Sequence, residues 1–184
     1  AGVDLSAELL ARARARGDPA LRLVRADMRR LPFGAAFDGV VNLFTSFGYF
    51  PADRENEAAL REMARALVPG GRFVIAHMNK PWVLRTLVPR SEERRACGTL
   101  VQERSIAGDR VLKRTTWIDA AGGRREIFES VRLYEPDELA GLLAACGLRV
   151  VDRWGSLGGD RYGDHSPRLV LAARRVEGLP CVSP

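Results

Sequence analysis

Lysine is almost missing from this chain: of 29 basic residues only Lys80 and Lys113 are lysines, the others being arginines scattered through predicted helices and strands. The formal net charge is +6 over 184 residues, but no basic run or stripe forms. That argues against a phosphate-binding face, and with it against nucleic acid as a partner. Cysteine is scarce too. Cys97, Cys146 and Cys181 are odd in number and lack CxxC or metal-ligand spacing, which excludes a disulfide framework, predicts no metal, and points to reduced thiols in a cytoplasmic location. Histidine occurs only at His77 and His165, so few side chains change charge near neutral pH. No apolar run approaches about 18 residues and no signal peptide is visible, so no membrane association is expected. An initiating methionine is also lacking. The chain opens Ala1-Gly-Val-Asp-Leu-Ser6 in mid-strand, and a piece of the fold is expected to precede Ala1.

What is present suits one domain able to bury about 70% of its unfolded surface. The stretch Phe37 to Phe50 is the organising element. Val40, Val41, Leu43 and Phe44 form a nearly continuous apolar run around Asn42, the pattern of a strand covered on both faces in a parallel α/β sheet. Thr45, Ser46 and Gly48 stop it, and Phe47, Tyr49 and Phe50 offer flat apolar surface beyond its carboxyl end, where ligands bind in open α/β sheets.

Before it, Gly2 to Leu5 reads as a strand end. Ser6 is expected to cap a helix from Ala7 to about Arg16, ended by Gly17-Asp18-Pro19. An acidic residue at a strand end just before a helix is placed to accept both hydroxyls of a ribose, although Asp4 equally suits a capping role. Leu21 to Arg25 alternates as a second strand. Asp27 at its end can accept from an exocyclic amine, with Met28 beside it, or can simply close a turn.

After it, Asp53 is expected to cap a helix from Arg54 to about Leu67, stopped by Pro69-Gly70-Gly71. Arg72 to Ala76 then makes a buried strand, with His77 to Trp82 beyond its end. Residues 97–132 change pattern to three strands joined by Ala107-Gly108-Asp109 and Asp119-Ala-Ala-Gly-Gly123, a small antiparallel meander laid over the ligand edge. A helix from Asp137 to Cys146, final strands at Leu148–Trp154 and Arg168–Ala173, and a loose tail at 177–184 complete a domain spanning 1–176.

In this order and at these distances, Gly2-Val-Asp-Leu-Ser-Ala-Glu-Leu-Leu10, Ala26-Asp-Met28, Phe37-Asp-Gly-Val-Val-Asn42, Leu67-Val-Pro-Gly-Gly-Arg-Phe73 and Tyr134-Glu-Pro-Asp-Glu-Leu139 before Ala145-Cys-Gly-Leu148 resemble the class I S-adenosylmethionine-dependent methyltransferases. The resemblance covers nearly the whole chain, from the family's second strand to its last. It implies an α/β, Rossmann-like methyltransferase sheet, N-terminally truncated, with a small antiparallel β meander inserted before the last helix. It further implies that Asp4 holds the ribose of S-adenosyl-L-methionine, Leu5 packs on the adenine, Asp27 and Met28 read the adenine edge, and Asn42, Leu43 and Phe44 approach the methionine part. Ser46, Tyr49 and Trp82 would shape the acceptor pocket. The family's first strand and glycine-rich turn have no counterpart here, so the 184 residues alone are expected to be inactive.

Methyl transfer from a sulfonium is an in-line displacement served by positioning and desolvation. A base is useful when the acceptor must lose a proton, and His77, then His165, are the candidates; each reads more readily as a merely hydrogen-bonded histidine. Trp117 reads as packing, and Arg85, Arg104 and Arg132 as surface. The place where base-methylating enzymes carry an Asn/Asp-Pro-Pro-aromatic stretch reads Asn42-Leu-Phe-Thr45, which turns the expectation to N- or O-methylation of a small molecule. A nicotinamide-dependent oxidoreductase and a non-catalytic binding module remain as rivals, and oligomeric state is unreadable.

Overall fold

A computed structural model describes residues 1–17 and 20–176; the expected tail at 177–184, together with Cys181, Asp18 and Pro19, lies outside the described residues. Ten strands and four helices follow one another as β1 (Gly2–Asp4), α1 (Ala7–Arg16), β2 (Leu23–Arg25), β3 (Phe37–Asn42), α2 (Asp53–Ala66), β4 (Leu67–Met78), α3 (Lys80–Thr86), β5 (Arg90–Arg95), β6 (Gly98–Ala107), β7 (Arg110–Asp119), β8 (Arg124–Arg132), α4 (Pro136–Ala145), β9 (Leu148–Trp154) and β10 (Arg168–Arg175). Among the described residues no helix is long and apolar enough to cross a membrane.

The strands make three sheets. β1 and β2 pair in parallel. A mixed sheet has the order β3-β4-β10-β9, and the meander has the order β5-β6-β7-β8. Helix α1 starts where expected, with Ser6 Oγ accepting from Leu9 N at 3.2 Å. The pairing of β3 with β4 sets Val40 beside Phe73 and Asn42 beside Ile75, on the sheet face that carries the core. Leu169 and Leu171 of β10 extend that face, and Leu60 and Met63 of α2 with Leu139 and Leu143 of α4 pack against it. Burying one such leucine contributes about 1.5–3 kcal/mol.

Several sequence expectations are corrected. β3 stops at Asn42, and it is covered on one face only: Val41, pointing away from α2, is 65% exposed. Asp53 is the first residue of α2 and not its cap. Ala52 is the N-cap, and Glu55 Oε2 accepts from Ala52 N at 3.4 Å. The helix ends at Ala66, before the Pro-Gly-Gly segment, which instead absorbs a register jump between the pairs Phe37–Leu67 and Gly39–Arg72. Gly70 has φ +76°, and a Cβ on Gly71 would lie 2.8 Å from Val68 O, so glycine is required there. His77 lies inside β4 and not beyond it, and Lys80–Thr86 is helical, started by a proline in its first turn. The meander has four strands; the additional one, Arg-Ser-Glu-Glu-Arg-Arg, shows no apolar alternation.

Candidate cofactor cleft

The β1–β2 pair and the edge strand β3 flank a cleft of about 550 Å³. Its floor and walls come from the carboxyl ends of three strands: Asp4 and Leu5 after β1, Ala26 to Arg29 after β2, and Val40 to Leu43 at the end of β3. Ser46, Phe50 and Met63 of α2 close its far side. Parallel pairing puts Asp4 opposite Arg25, and Ala26 N donates to Asp4 O at 3.2 Å. Asp4 and Asp27 therefore reach the same cleft from neighbouring strand ends.

The two carboxylates are held differently. Asp4 Oδ1 accepts from Ser6 N at 2.7 Å, and among the described residues no group donates to Oδ2. Asp27 is largely committed to Arg29. Its Oδ1 accepts from Arg29 N at 2.9 Å and from Nε at 3.1 Å, and its Oδ2 accepts from Nη2 at 2.6 Å. These bonds hold its carboxyl below the usual 3.8 despite a smaller opposing effect of burial. A carboxylate offers about four acceptor sites, so Asp27 has room for little more than one further donor. Leu5 is 62% exposed on the cleft wall and Met28 is half-buried beside Asp27.

At the end of β3 the chain breaks sharply. Asn42 is buried, with Nδ2 donating to Met63 Sδ at 3.7 Å and Oδ1 without a partner. Leu43 lines the cleft. Phe44 and Thr45 then have φ of +56° and +61°, a left-handed pair without glycine that costs about 1–3 kcal/mol per residue. It is held by Thr45 N donating to Ala76 O at 3.1 Å and by Ser46 Oγ donating to Leu43 O at 2.9 Å. The left-handed turn throws Phe44 off the cleft. Phe44 is 69% exposed with the Arg168 guanidinium 5.8 Å from its ring, so Phe44 is not among the residues that line the cleft, whereas Ser46 is.

The remaining expected site residues also lie outside the cleft lining. Tyr49 belongs to the loop stitched to the meander: its hydroxyl donates to Glu129 at 3.1 Å, Arg132 N donates to Gly48 O at 2.8 Å, and Arg110 Nη2 donates to Gly48 O at 3.2 Å. Gly48 has φ +95°, and a Cβ there would press on His77 Nε2 at 3.2 Å. Lys113 Nζ neutralises Glu129 at 2.9 Å. Trp82 is half-buried on α3. His165 is exposed on a loop anchored by Asn79, whose Nδ2 donates to Gly163 O and Ser166 O at 3.1 and 2.8 Å.

His77 is fully buried between Phe47 and Tyr134, with Nε2 and Nδ1 each 3.2 Å from a carbonyl, of Phe47 and Met78 respectively. Burial lowers its pKa below the ordinary 6.5, against the two carbonyls, which favour the charged ring. With no exposure it has no path to an acceptor, which corrects the expectation of a base at this position. The unfolded chain takes up a proton here near pH 6.5 while the folded chain does not, so this contribution to stability is complete above that pH and shrinks below it. The expected slope reaches about 1.4 kcal/mol per pH unit. Urea unfolding of wild type and His77→Gln between pH 7.5 and 5.5 checks this: the variant is expected to show the flatter dependence, and equal slopes would rule out a neutral buried ring.

Arg29 and Phe50 are cleft residues whose joint role sequence reasoning missed. Arg29 reaches Glu55, 26 positions away, and the guanidinium lies 4.5 Å over the Phe50 ring. The one local signal is an arginine two residues after Asp27.

Residues 1–71 match the family model described as "Methyltransferase domain". Over 82 residues, 45% of this chain, the sequence is 39% identical to a dTDP-3-amino-3,4,6-trideoxy-alpha-D-glucopyranose N,N-dimethyltransferase of Streptomyces venezuelae, and the matched stretch spans 32% of that protein. Among solved structures, the CcbJ methyltransferase from Streptomyces caelestis aligns with 95% of this chain and 74% of its own at a TM-score of 0.82 and 20% identity. SAM-bound CalS10 of Micromonospora echinaspora, an amino pentose methyltransferase, aligns with 95% of this chain and 73% of its own at a TM-score of 0.69 and 27% identity.

Proposed function

We propose that this chain forms most of a class I S-adenosylmethionine-dependent enzyme that methylates the nitrogen of an amino sugar; the match of residues 1–71 to the methyltransferase-domain model and the fold shared with solved methyltransferases support this. The single observation that carries the reading is the convergence of Asp4 and Asp27 on one cleft from the ends of adjacent parallel strands. Asp4 Oδ2, with no donor of its own, suits the ribose diol. The remaining acceptor site of Asp27, with the Met28 backbone, suits the adenine edge, and Asn42, lining the cleft at the end of β3, suits the methionine side.

When bound, S-adenosyl-L-methionine supplies an electrophilic methyl on a sulfonium; the C–S bond breaks as the acceptor's lone pair forms the new bond, leaving S-adenosylhomocysteine. The residues of this chain hold and desolvate. Leu5, Val40 and Leu43 exclude water, and Ser46 and Phe50 bound the side from which an acceptor enters. A neutral amine needs no base to attack, and its proton leaves to water afterwards, which accords with a cleft lined by no histidine. Nitrogen is favoured over oxygen because the curated relatives are N,N-dimethyltransferases of dTDP-linked amino sugars. The unpaired thiols of Cys97 and Cys146 accord with a cytoplasmic location.

β1 and β3 face the cleft with edges that no described strand pairs. We infer that a further strand from outside these 184 residues lies between them, since two open strand edges facing one cleft leave rows of unpaired N–H and C=O groups. The test is labelled methyl transfer by the full-length protein to a dTDP-amino sugar, its hydroxyl analogue and the free amino sugar, beside titrations with S-adenosylhomocysteine and NADH. Transfer to the amine and binding of the homocysteine product are expected, with micromolar affinity absent from the 184 residues alone. Tight NADH binding without methyl transfer would sink the reading.

A further inference from the structure

We propose that Arg29 is a positioning residue for the adenosine side of the cleft, orienting Asp27 and transmitting the placement of α2 to it through Glu55. The inference rests on the methyltransferase reading above. All three guanidinium nitrogens of Arg29 donate: Nε and Nη2 fork onto Asp27 and Nη1 donates to Glu55 Oε1 at 2.5 Å, while the backbone N–H closes the same turn. The flat face of the guanidinium lies against Phe50 at 4.5 Å, and Asn56 Nδ2 holds Phe50 O at 3.3 Å. One cation thus fixes the carboxylate expected to meet the adenine, the ring that closes the cleft, and the first turn of α2.

The consequence reaches beyond the cleft lining. Arg29 and Phe50 line it, and Glu55 does not. Because Arg29 occupies both Asp27 oxygens, its position decides which remaining lone pair faces a ligand, and Glu55 in turn holds Arg29. A planar fork is needed for this, so lysine is no substitute. Without the fork, Asp27 samples other rotamers and binding must order it at the ligand's expense.

The experiment is a double-mutant cycle in the full-length protein, read by S-adenosylhomocysteine affinity and by steady-state kinetics. Arg29→Gln is expected to weaken binding about tenfold and to raise the KM for S-adenosylmethionine, with kcat and the acceptor KM little changed. Glu55→Gln keeps an oxygen for Ala52 N but removes the charge partner, and is expected to weaken binding about threefold to fivefold. The double variant should be no weaker than Arg29→Gln alone. An unaltered affinity in Glu55→Gln, or effects that simply multiply in the double variant, would overturn the inference. The wild type separates the two levels: if it binds S-adenosylhomocysteine and the Arg29 and Glu55 variants bind it as tightly, only the positioning role fails, whereas a wild-type protein that does not bind it removes the methyltransferase reading itself.

Discussion

Asp4→Asn is expected to weaken S-adenosylhomocysteine binding by the full-length protein about 100-fold, or about 2.7 kcal/mol. Two hydroxyl donors to a carboxylate make charge-assisted bonds of about 1.5–3 kcal/mol each, and asparagine offers one neutral oxygen in their place. The substitution is nearly silent for folding, because the asparagine Oδ1 can still accept from Ser6 N, the bond that the aspartate makes at 2.7 Å. Ser6 itself continues to cap α1. Calorimetric titration beside a thermal melt therefore distinguishes loss of a ligand contact from loss of structure. A melt unchanged within about 2 °C with affinity reduced 100-fold is the expected pair of results; affinity within threefold of wild type would remove Asp4 from the cofactor site.

Arg132→Met should produce the largest change in stability, about 3 kcal/mol, or roughly 10 °C in Tm. The guanidinium is buried at the junction of three elements. It meets Glu138 of α4 at 2.6 Å, Asp109 of the β6–β7 turn at 2.9 Å and Asp53 at the start of α2 at 3.3 Å. Nη1 donates to Leu133 O at 2.5 Å, and the plane lies 4.8 Å over Tyr134. Methionine fills the volume but leaves three carboxylates facing one another and a carbonyl without its donor. The loss falls at the lower end of what breaking a buried ion pair costs, because Asp53 and Asp109 are 56% and 49% exposed and water relieves them. Arg132→Lys restores the charge without the fork and should recover less than half. Urea unfolding measures both, and a loss under 1 kcal/mol for the methionine variant would show that the cluster is surface decoration. From the sequence alone Arg132 reads as a surface arginine; only the folding of three acids around it reveals the difference.

That contrast marks what the sequence disclosed. Strand, acidic residue, capping serine and helix are consecutive at Gly2 to Arg16, so Asp4 and its geometry were legible from local spacing, as were Asp27 and Met28 at the end of the next strand. The meander was legible from its turns. β5 was not, because its six residues carry no apolar period. Phe44 was misassigned because continuing an apolar run as a strand is the default, and nothing local announces two left-handed residues in succession. His77 looked like a strand-end base; that it is interior depends on Leu169 pairing beside it from β10, 92 positions later in the numbering. Arg29 and Glu55 were invisible as a pair for the same reason.

The cleft runs between two sheets that share no backbone ladder among the described residues, one carrying Asp4 and Asp27, the other Asn42 and Leu43. A nucleoside gripped on one side and a sulfonium centre presented on the other would make the small molecule a fastener between separately built halves. In the 184 residues alone the edges of β1 and β3 that face the cleft have no ladder partner, so the exchange protection of their amide protons is expected to rise in the full-length protein, where the inferred strand joins the halves, and to report that joining and not the integrity of either half alone.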